Sequence, residues 1–155
     1  MSGIAVVGLG KLGACMAACF AARGYEVTGV DTDAALRATL AAGRAPVPEP
    51  GLQDLLDEAG SRLRVTGVTA EAVAAADVTF VVVPTPSLPD GRFSLAHVRA
   101  AVGAVGAALR GTRRRHVVVV TSTVLPGAME FGVRPVLEEA AGMRCGPTLG
   151  LCYNP

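Results

Sequence analysis

The chain has 155 residues, which suits one domain with a sizeable hydrophobic core. It is 51% hydrophobic and only 4% aromatic, and its net charge of +1 provides no general attraction to nucleic acid or membranes. No uncharged apolar run is long enough to span a bilayer, and the first apolar stretch lacks the basic residues of a secretory signal. The four cysteines show no metal-site spacing, and the pair Cys15 and Cys19 reads as small core residues. These features predict a cytoplasmic protein without a metal.

The chain begins with a predicted strand over residues 4–7 and a glycine-rich turn. An alanine-rich helix is predicted over 14–23, followed by a second strand over 26–30 that ends at Asp31. Asp31 follows the turn at about the spacing expected of a dinucleotide site. The turn consists of Gly8, Leu9, Gly10, Lys11, Leu12 and Gly13.

Each residue type in this segment has a physical reason. Gly8 permits a tight turn, Gly10 lets a pyrophosphate approach the backbone, and Gly13 lets the helix pack closely on the strand. Asp31 would accept hydrogen bonds from the ribose hydroxyls and repel a 2′-phosphate, which predicts NAD rather than NADP. The alternatives are an ordinary tight turn for the glycines and a helix N-cap for Asp31, a role for which Asp33 competes.

The remaining elements continue the alternation of strands and helices. The prolines at 46, 48 and 50 predict an extended segment, and Ser94 can cap a helix that runs to about residue 109. The pattern predicts a doubly wound parallel α/β sheet, the Rossmann fold, with six strands in the order 3-2-1-4-5-6 and one domain over 1–155. Helices are predicted over 34–42, 52–59, 70–76, about 94–109 and 126–141, and strands over 63–66, 78–83, 116–120 and 149–152.

Four segments, taken in order, resemble the N-terminal NAD-binding domain of the UDP-glucose/GDP-mannose 6-dehydrogenase family. The end of the chain, Tyr153-Asn154-Pro155, is similar to the start of that family's Asn-Pro-Glu segment. The resemblance covers the whole chain. The four segments are the glycine-rich turn with Asp31, Pro46-Val47-Pro48-Glu49-Pro50-Gly51-Leu52, Val83-Pro84-Thr85-Pro86, and Thr121-Ser122-Thr123-Val124-Leu125-Pro126-Gly127.

The resemblance implies an enzyme that oxidises the C6 alcohol of a UDP- or GDP-sugar to a carboxylate with two NAD molecules. The family's catalytic cysteine, lysine, asparagine and aspartate lie in its second half and have no counterpart here. We therefore expect an NAD-binding domain without the central and C-terminal domains, inactive alone. The full-length enzyme is expected to be a homodimer that takes a nucleotide sugar as its partner molecule, with no role for nucleic acid or membranes.

The resemblance also implies roles for individual residues. Thr123 corresponds to a threonine that helps to position a catalytic water, and its alternative role is the N-cap of a helix starting at Pro126. One departure is Leu36, which stands where many members have a basic residue, with Arg37 following. The glycine-rich turn and Asp31 are expected to bind the cofactor together with two loops, made of Val83, Pro84, Thr85, Pro86 and Ser87 and of Ser122, Thr123 and Val124.

Two rival functions remain at this stage. The chain could be a dinucleotide-binding or partner-binding module without chemistry of its own, which its length favours. A dehydrogenase of another class, such as one acting on hydroxy acids, would leave the Pro-Thr-Pro and Ser-Thr-Val segments unexplained. Sequence beyond Pro155 that encodes a cysteine-containing second domain would favour the nucleotide-sugar enzyme.

Overall fold

The computed structural model describes residues 3–155. Their strands form one six-stranded parallel sheet. The strand order is β3-β2-β1-β4-β5-β6, so the predicted fold and topology are confirmed. The strands are β1 (Gly3–Val7), β2 (Glu26–Val30), β3 (Leu63–Thr66), β4 (Val78–Val81), β5 (His116–Val120) and β6 (Leu149–Tyr153).

Helices cover both faces of the sheet and bury a hydrophobic cluster on each. One cluster joins the sheet to the fourth, fifth and sixth helices, and the other joins it to the first three. All five residues of β1 are buried, as expected of a central parallel strand covered on both faces. The helices are α1 (Lys11–Ala22), α2 (Ala34–Ala41), α3 (Leu52–Ala59), α4 (Thr69–Ala74), α5 (Ala96–Leu109) and α6 (Arg134–Ala141).

The helix predicted over 126–141 begins later than expected. Gly127 has a φ of +83°, in the left-handed region, so no right-handed helix can run through it. A π-helical turn, Met129–Val133, follows and leads into α6. The helix predicted over 14–23 instead starts at Lys11, because Gly10 already has the extended conformation of an N-cap residue. The structure therefore corrects both helix starts.

The amino ends of β4 and β5 carry a polar cluster. The Thr79 hydroxyl lies 2.8 Å from Nε2 of His116, and both residues are buried. Arg114 makes a 2.7 Å ion pair with Asp77 and also donates to the carbonyl of Ala74. Burial lowers the pKa of His116, although the nearby Asp77 carboxylate acts in the opposite direction.

The core role predicted for the cysteines of α1 is wrong for Cys19, which is exposed. Cys15 is partly buried and packs against the hydrophobic cluster on that face of the sheet, while the fully buried residues of the helix are glycine and alanine. All four cysteines are free. Over residues 3–155, none of the helices has the length and apolar character needed to cross a membrane.

Candidate functional site

A cavity of about 770 Å³ opens at the carboxyl ends of the central strands. This is the edge at which open parallel α/β sheets bind ligands. The cavity brings together eleven of the residues that were predicted to bind cofactor. These are Gly8, Gly10, Lys11, Leu12, Gly13, Asp31, Val83, Pro84, Thr85, Ser122 and Thr123.

The glycine-rich turn forms one wall of the cavity. Gly8 has a φ of +93°, and a Cβ placed on Gly13 would lie 1.9 Å from the Gly8 carbonyl oxygen. A Cβ on Gly10 would meet nothing within 4 Å. Gly8 and Gly13 are therefore required by the fold, whereas Gly10 leaves open space in front of the backbone. Since the first amides of a helix have no partner within the helix, the start of α1 offers donors to a phosphate group.

Asp31 follows β2 and faces the same cavity. Its Oδ2 accepts a 2.7 Å hydrogen bond from the amide of Leu9, and its Oδ1 accepts a 2.9 Å bond from the amide of Asp33. The N-cap of α2 is Asp33, whose side chain accepts from the amides of Ala35 and Leu36. Asp31 is therefore not the cap, and a carboxylate can accept further bonds at both oxygens.

Arg37 holds the backbone of Asp31 through a hydrogen bond. Its Nη1 donates a 2.7 Å hydrogen bond to the Asp31 carbonyl, and a Cβ on Gly67 would lie 3.2 Å from the Arg37 Cζ. Leu36, in contrast, lines the cavity beside Asp31. Leu36 thus contributes an apolar side chain to the cavity wall, and the Arg37 guanidinium holds the backbone of Asp31 in place.

Ser122 connects the ends of β4 and β5. Its hydroxyl donates to the Val83 carbonyl at 2.8 Å and accepts from the Val83 amide at 3.0 Å. Ser122 is buried, so these bonds hold the two cavity-lining loops together.

Thr123 follows directly and has an exposed side chain at the cavity wall. It is not a helix N-cap, since Ala128 is the residue that precedes the π-helical turn. The neighbouring Thr121 also lines the cavity, and its Oγ1 is buried without a hydrogen-bond partner among the residues described. Together with the hydroxyl of Ser122, three hydroxyl groups therefore lie at the end of β5.

Four predicted cofactor residues lie outside the cavity lining. The side chain of Leu9 is buried and would contact any Cβ on Gly29, so only its amide faces Asp31. Pro86 and Ser87 are exposed in the loop after β4, where Ser87 forms a bridge with Phe93. Val124 is buried beneath the loop, and its side chain adds to the hydrophobic interior.

Lys11 is held by a residue from a different segment. Its Nζ lies 2.7 Å from Oε1 of Glu49, and this hydrogen-bonded contact raises the pKa of Lys11. The sequence predicts only an extended segment around Glu49. The ion pair places that loop against the glycine-rich turn.

Several cavity residues were not found by motif reasoning. They come from the strand ends and the segments after them, from the starts of α2 and α4, and from α5. They are Val7, Val30, Thr32, Asp33, Leu36, Gly67, Thr69, Val82, His97, Ala100, Ala101, Ala104 and Thr121.

These features together fit a dinucleotide. The turn gives a phosphate close access at Gly10, and Asp31 presents two anchored carboxylate oxygens beyond β2. No cysteine is among the residues that line the cavity, and within residues 3–155 no three metal-binding side chains cluster. The fold and site thus define a nucleotide-binding domain of the Rossmann class.

The family can be named from comparison with known proteins. The model of the UDP-glucose/GDP-mannose dehydrogenase family, NAD binding domain, matches residues 2–155, and the chain belongs to this family. Its cofactor is NAD. The expectation drawn from the four sequence segments is therefore confirmed.

Individual relatives agree with this assignment. A GDP-mannose 6-dehydrogenase of Pseudomonas putida is 42% identical over 154 residues, covering 98% of this chain and 35% of its own length. A UDP-glucose 6-dehydrogenase of Haloferax volcanii is 39% identical over 153 residues, again with 98% and 35% coverage. The chain thus spans about a third of the length of these relatives.

Solved structures show the same correspondence in three dimensions. The crystal structure of a ternary complex of GDP-mannose dehydrogenase from Pseudomonas aeruginosa matches with a TM-score of 0.94 and 39% identity, covering 98% of this chain and 35% of that one. A UDP-glucose dehydrogenase from Pyrobaculum islandicum matches with a TM-score of 0.91 and 41% identity, covering 100% and 36%.

Proposed function

We propose that this chain is the NAD-binding domain of a nucleotide-sugar 6-dehydrogenase, which oxidises the C6 alcohol of a UDP- or GDP-sugar to a carboxylate with two NAD molecules. The observation that carries the proposal is the single cavity shared by the glycine-rich turn, Asp31 and Thr123. The relatives named above are a GDP-mannose and a UDP-glucose dehydrogenase, and their sequence identities to this chain are similar. The proposal therefore includes both GDP-sugars and UDP-sugars as substrates.

In this proposal, the cofactor lies along the carboxyl edge of the sheet. Asp31 accepts the adenosine ribose hydroxyls, and the amides at the start of α1 donate to the pyrophosphate. The nicotinamide half of the cofactor reaches the loops after β4 and β5, where Thr85 and Thr123 line the cavity. Bound there, NAD supplies the hydride acceptor, and the chain's own residues orient it.

Thr123 is proposed to hold the water that hydrolyses the oxidised sugar intermediate. Its side chain is exposed at the end of β5 and lines the cavity, where the hydroxyl can form a hydrogen bond with a water molecule. Ser122 keeps the loop in place through its two bonds to Val83. The threonine would therefore contact the reacting water while the serine acts only on the loop.

The nucleophile and the sugar site are proposed to come from central and C-terminal domains like those expected from the family. The cavity lining includes no thiol, which supports this division of roles. We further propose that the complete enzyme is a homodimer that acts on its nucleotide sugar in the cytoplasm. The four free cysteines support a reducing compartment.

The proposal is tested by comparing two proteins, the 155-residue domain and the same domain continued by its downstream coding sequence. Each is incubated with NAD⁺ and either UDP-glucose or GDP-mannose, and NADH absorbance is followed. We expect sustained NADH production from the longer protein alone. Turnover by the isolated domain, or an extended protein that binds NADH but oxidises neither class of nucleotide sugar, would contradict the proposal.

A further inference from the structure

Lys11 occupies a position that is electrostatically unfavourable by itself. It is the first residue of α1, where the helix dipole presents partial positive charge. A cation at this end gains stability only when an anion lies close by. The cavity that Lys11 lines is where the cofactor's pyrophosphate would supply such an anion.

Glu49 already provides a negative charge at this point. Its Oε1 lies 2.7 Å from the Lys11 Nζ, and the lysine side chain is 72% exposed against 28% for the glutamate. Glu49 lies between two prolines. Its amide donates to the Val47 carbonyl at 2.9 Å, and its carbonyl accepts from the Leu52 amide at 3.2 Å.

The Glu49 side of the ion pair is therefore restrained by its loop, whereas the Lys11 side chain is mostly exposed. Pro48 and Pro50 restrict the backbone on both sides of Glu49, and α3, which follows the loop, packs against α1. A substitution at Glu49 should consequently change the charge beside the turn without moving the turn itself.

We propose that Glu49 lowers the affinity of the site for NAD by neutralising Lys11 beside the pyrophosphate position. The phosphates must compete with the carboxylate for the lysine and also approach a like charge. This inference rests on the proposed function, in which two NAD molecules are used in succession and the first must leave before the second binds. Glu49 thus acts through Lys11 and favours exchange of the cofactor.

The test is calorimetric titration of NADH into the wild-type protein and into Glu49→Gln. We expect the dissociation constant of Glu49→Gln to be about two- to fivefold lower, the range that corresponds to an exposed ion pair. The difference should be largest at an ionic strength of about 0.01 M and should nearly vanish at about 1 M. A purely structural loop residue would not produce this dependence on salt.

Two variants provide the controls. Glu58→Gln removes the same charge from an exposed position on α3 and should leave NADH affinity unchanged. In a Lys11→Met background, adding Glu49→Gln should shift the dissociation constant less than it does in wild type, because the shared partner is gone. Thermal unfolding of each variant checks that the fold is retained.

An unchanged or weakened NADH affinity in Glu49→Gln would overturn the inference. A shift of equal size in Glu58→Gln, or an undiminished shift in the Lys11→Met background, would also overturn it. Failure of the wild-type protein itself to bind NADH would instead contradict the proposed function. The two failures are therefore distinguishable within one set of titrations.

Discussion

Asp31 is anchored at both carboxylate oxygens by backbone amides, one from the glycine-rich turn and one from the start of α2. Arg37 holds the carbonyl of the same residue. Such a carboxylate loses little conformational freedom when it accepts hydrogen bonds from a ligand, since its position is already fixed. The residue that we propose selects the cofactor is thus also one that joins β2 to the turn after β1.

Thr123 provides the prediction at this scale. In the full-length enzyme that we propose, Thr123→Ala should reduce kcat by about 10²–10⁴-fold, the usual contribution of assisted proton transfer. The melting temperature should barely change, because Thr123 is exposed and is not a helix cap. Steady-state kinetics and thermal unfolding measure the two effects. A normal kcat would leave Thr123 without a catalytic role.

At the scale of elements, two glycines at the junction of β1 and α1 have different roles, one in packing and one in ligand access. Gly13 packs against the Gly8 carbonyl, where a Cβ would lie only 1.9 Å from the oxygen. Gly10 borders open space and has a φ of −60°, which alanine also adopts. Stability and ligand access therefore depend on separate residues of the same turn.

Alanine substitutions should separate these demands. Gly13→Ala should lower the free energy of unfolding by about 1–3 kcal/mol, because α1 must move away from the turn. Gly10→Ala should change that free energy by less than about 1 kcal/mol yet weaken NADH binding, since the added methyl group occupies the phosphate approach. Chemical denaturation and NADH titration test both variants. Equal losses of stability would refute the distinction.

The sequence predicts some element boundaries well and others poorly. The strand over 116–120 matches the structure because its run of four valines is bounded by polar residues, and the strand over 63–66 matches because its apolar and polar residues alternate. The start of α1 was missed because Gly13 has low helix propensity and belongs to the glycine-rich motif, whereas in the structure it lies inside the helix against the Gly8 carbonyl. The turn after β5 was missed because the left-handed conformation of Gly127 cannot be read from composition.

The site shows the same division. The motif spacing predicts correctly that Asp31 and the glycine-rich turn line one cavity. The two lie close together because they follow the carboxyl ends of the adjacent parallel strands β2 and β1. The bonds from Arg37 to the Asp31 carbonyl and from Lys11 to Glu49 depend on side-chain directions across separate elements. No local pattern marks such contacts, so they require the three-dimensional structure.

At the scale of the whole molecule, the two edges of the sheet have different roles. The carboxyl edge holds the cavity, whereas the amino edge holds the buried pair of His116 and Thr79 and the ion pair of Arg114 and Asp77. One edge is shaped for a ligand and the other contributes to the stability of the fold. The stability of the domain should therefore respond to pH through residues remote from the cofactor.

The buried imidazole gives the direction of this response. Burial lowers the pKa of His116 below the ordinary value of 6.5, so the unfolded chain binds a proton more readily than the folded one. Stability from this group is complete above pH 6.5 and is lost as pH falls through the lowered pKa. The slope should reach at most about 1.4 kcal/mol per pH unit.

Denaturation at a series of pH values measures that slope in the wild-type protein and in His116→Asn. The variant should be less stable at neutral pH, since it loses the contact with Thr79, and its slope as the pH falls below 6.5 should be smaller. An identical slope in the two proteins would show that another group controls acid stability.

The most direct measurement of the central claim is a calorimetric titration of NADH and NADPH into the wild-type domain and into Asp31→Ala. We expect the wild type to prefer NADH, and we expect the substitution to weaken NADH binding by about 1–3 kcal/mol through loss of charge-assisted hydrogen bonds. Wild-type binding of NADPH as tight as that of NADH, or unchanged NADH affinity in Asp31→Ala, would contradict the account.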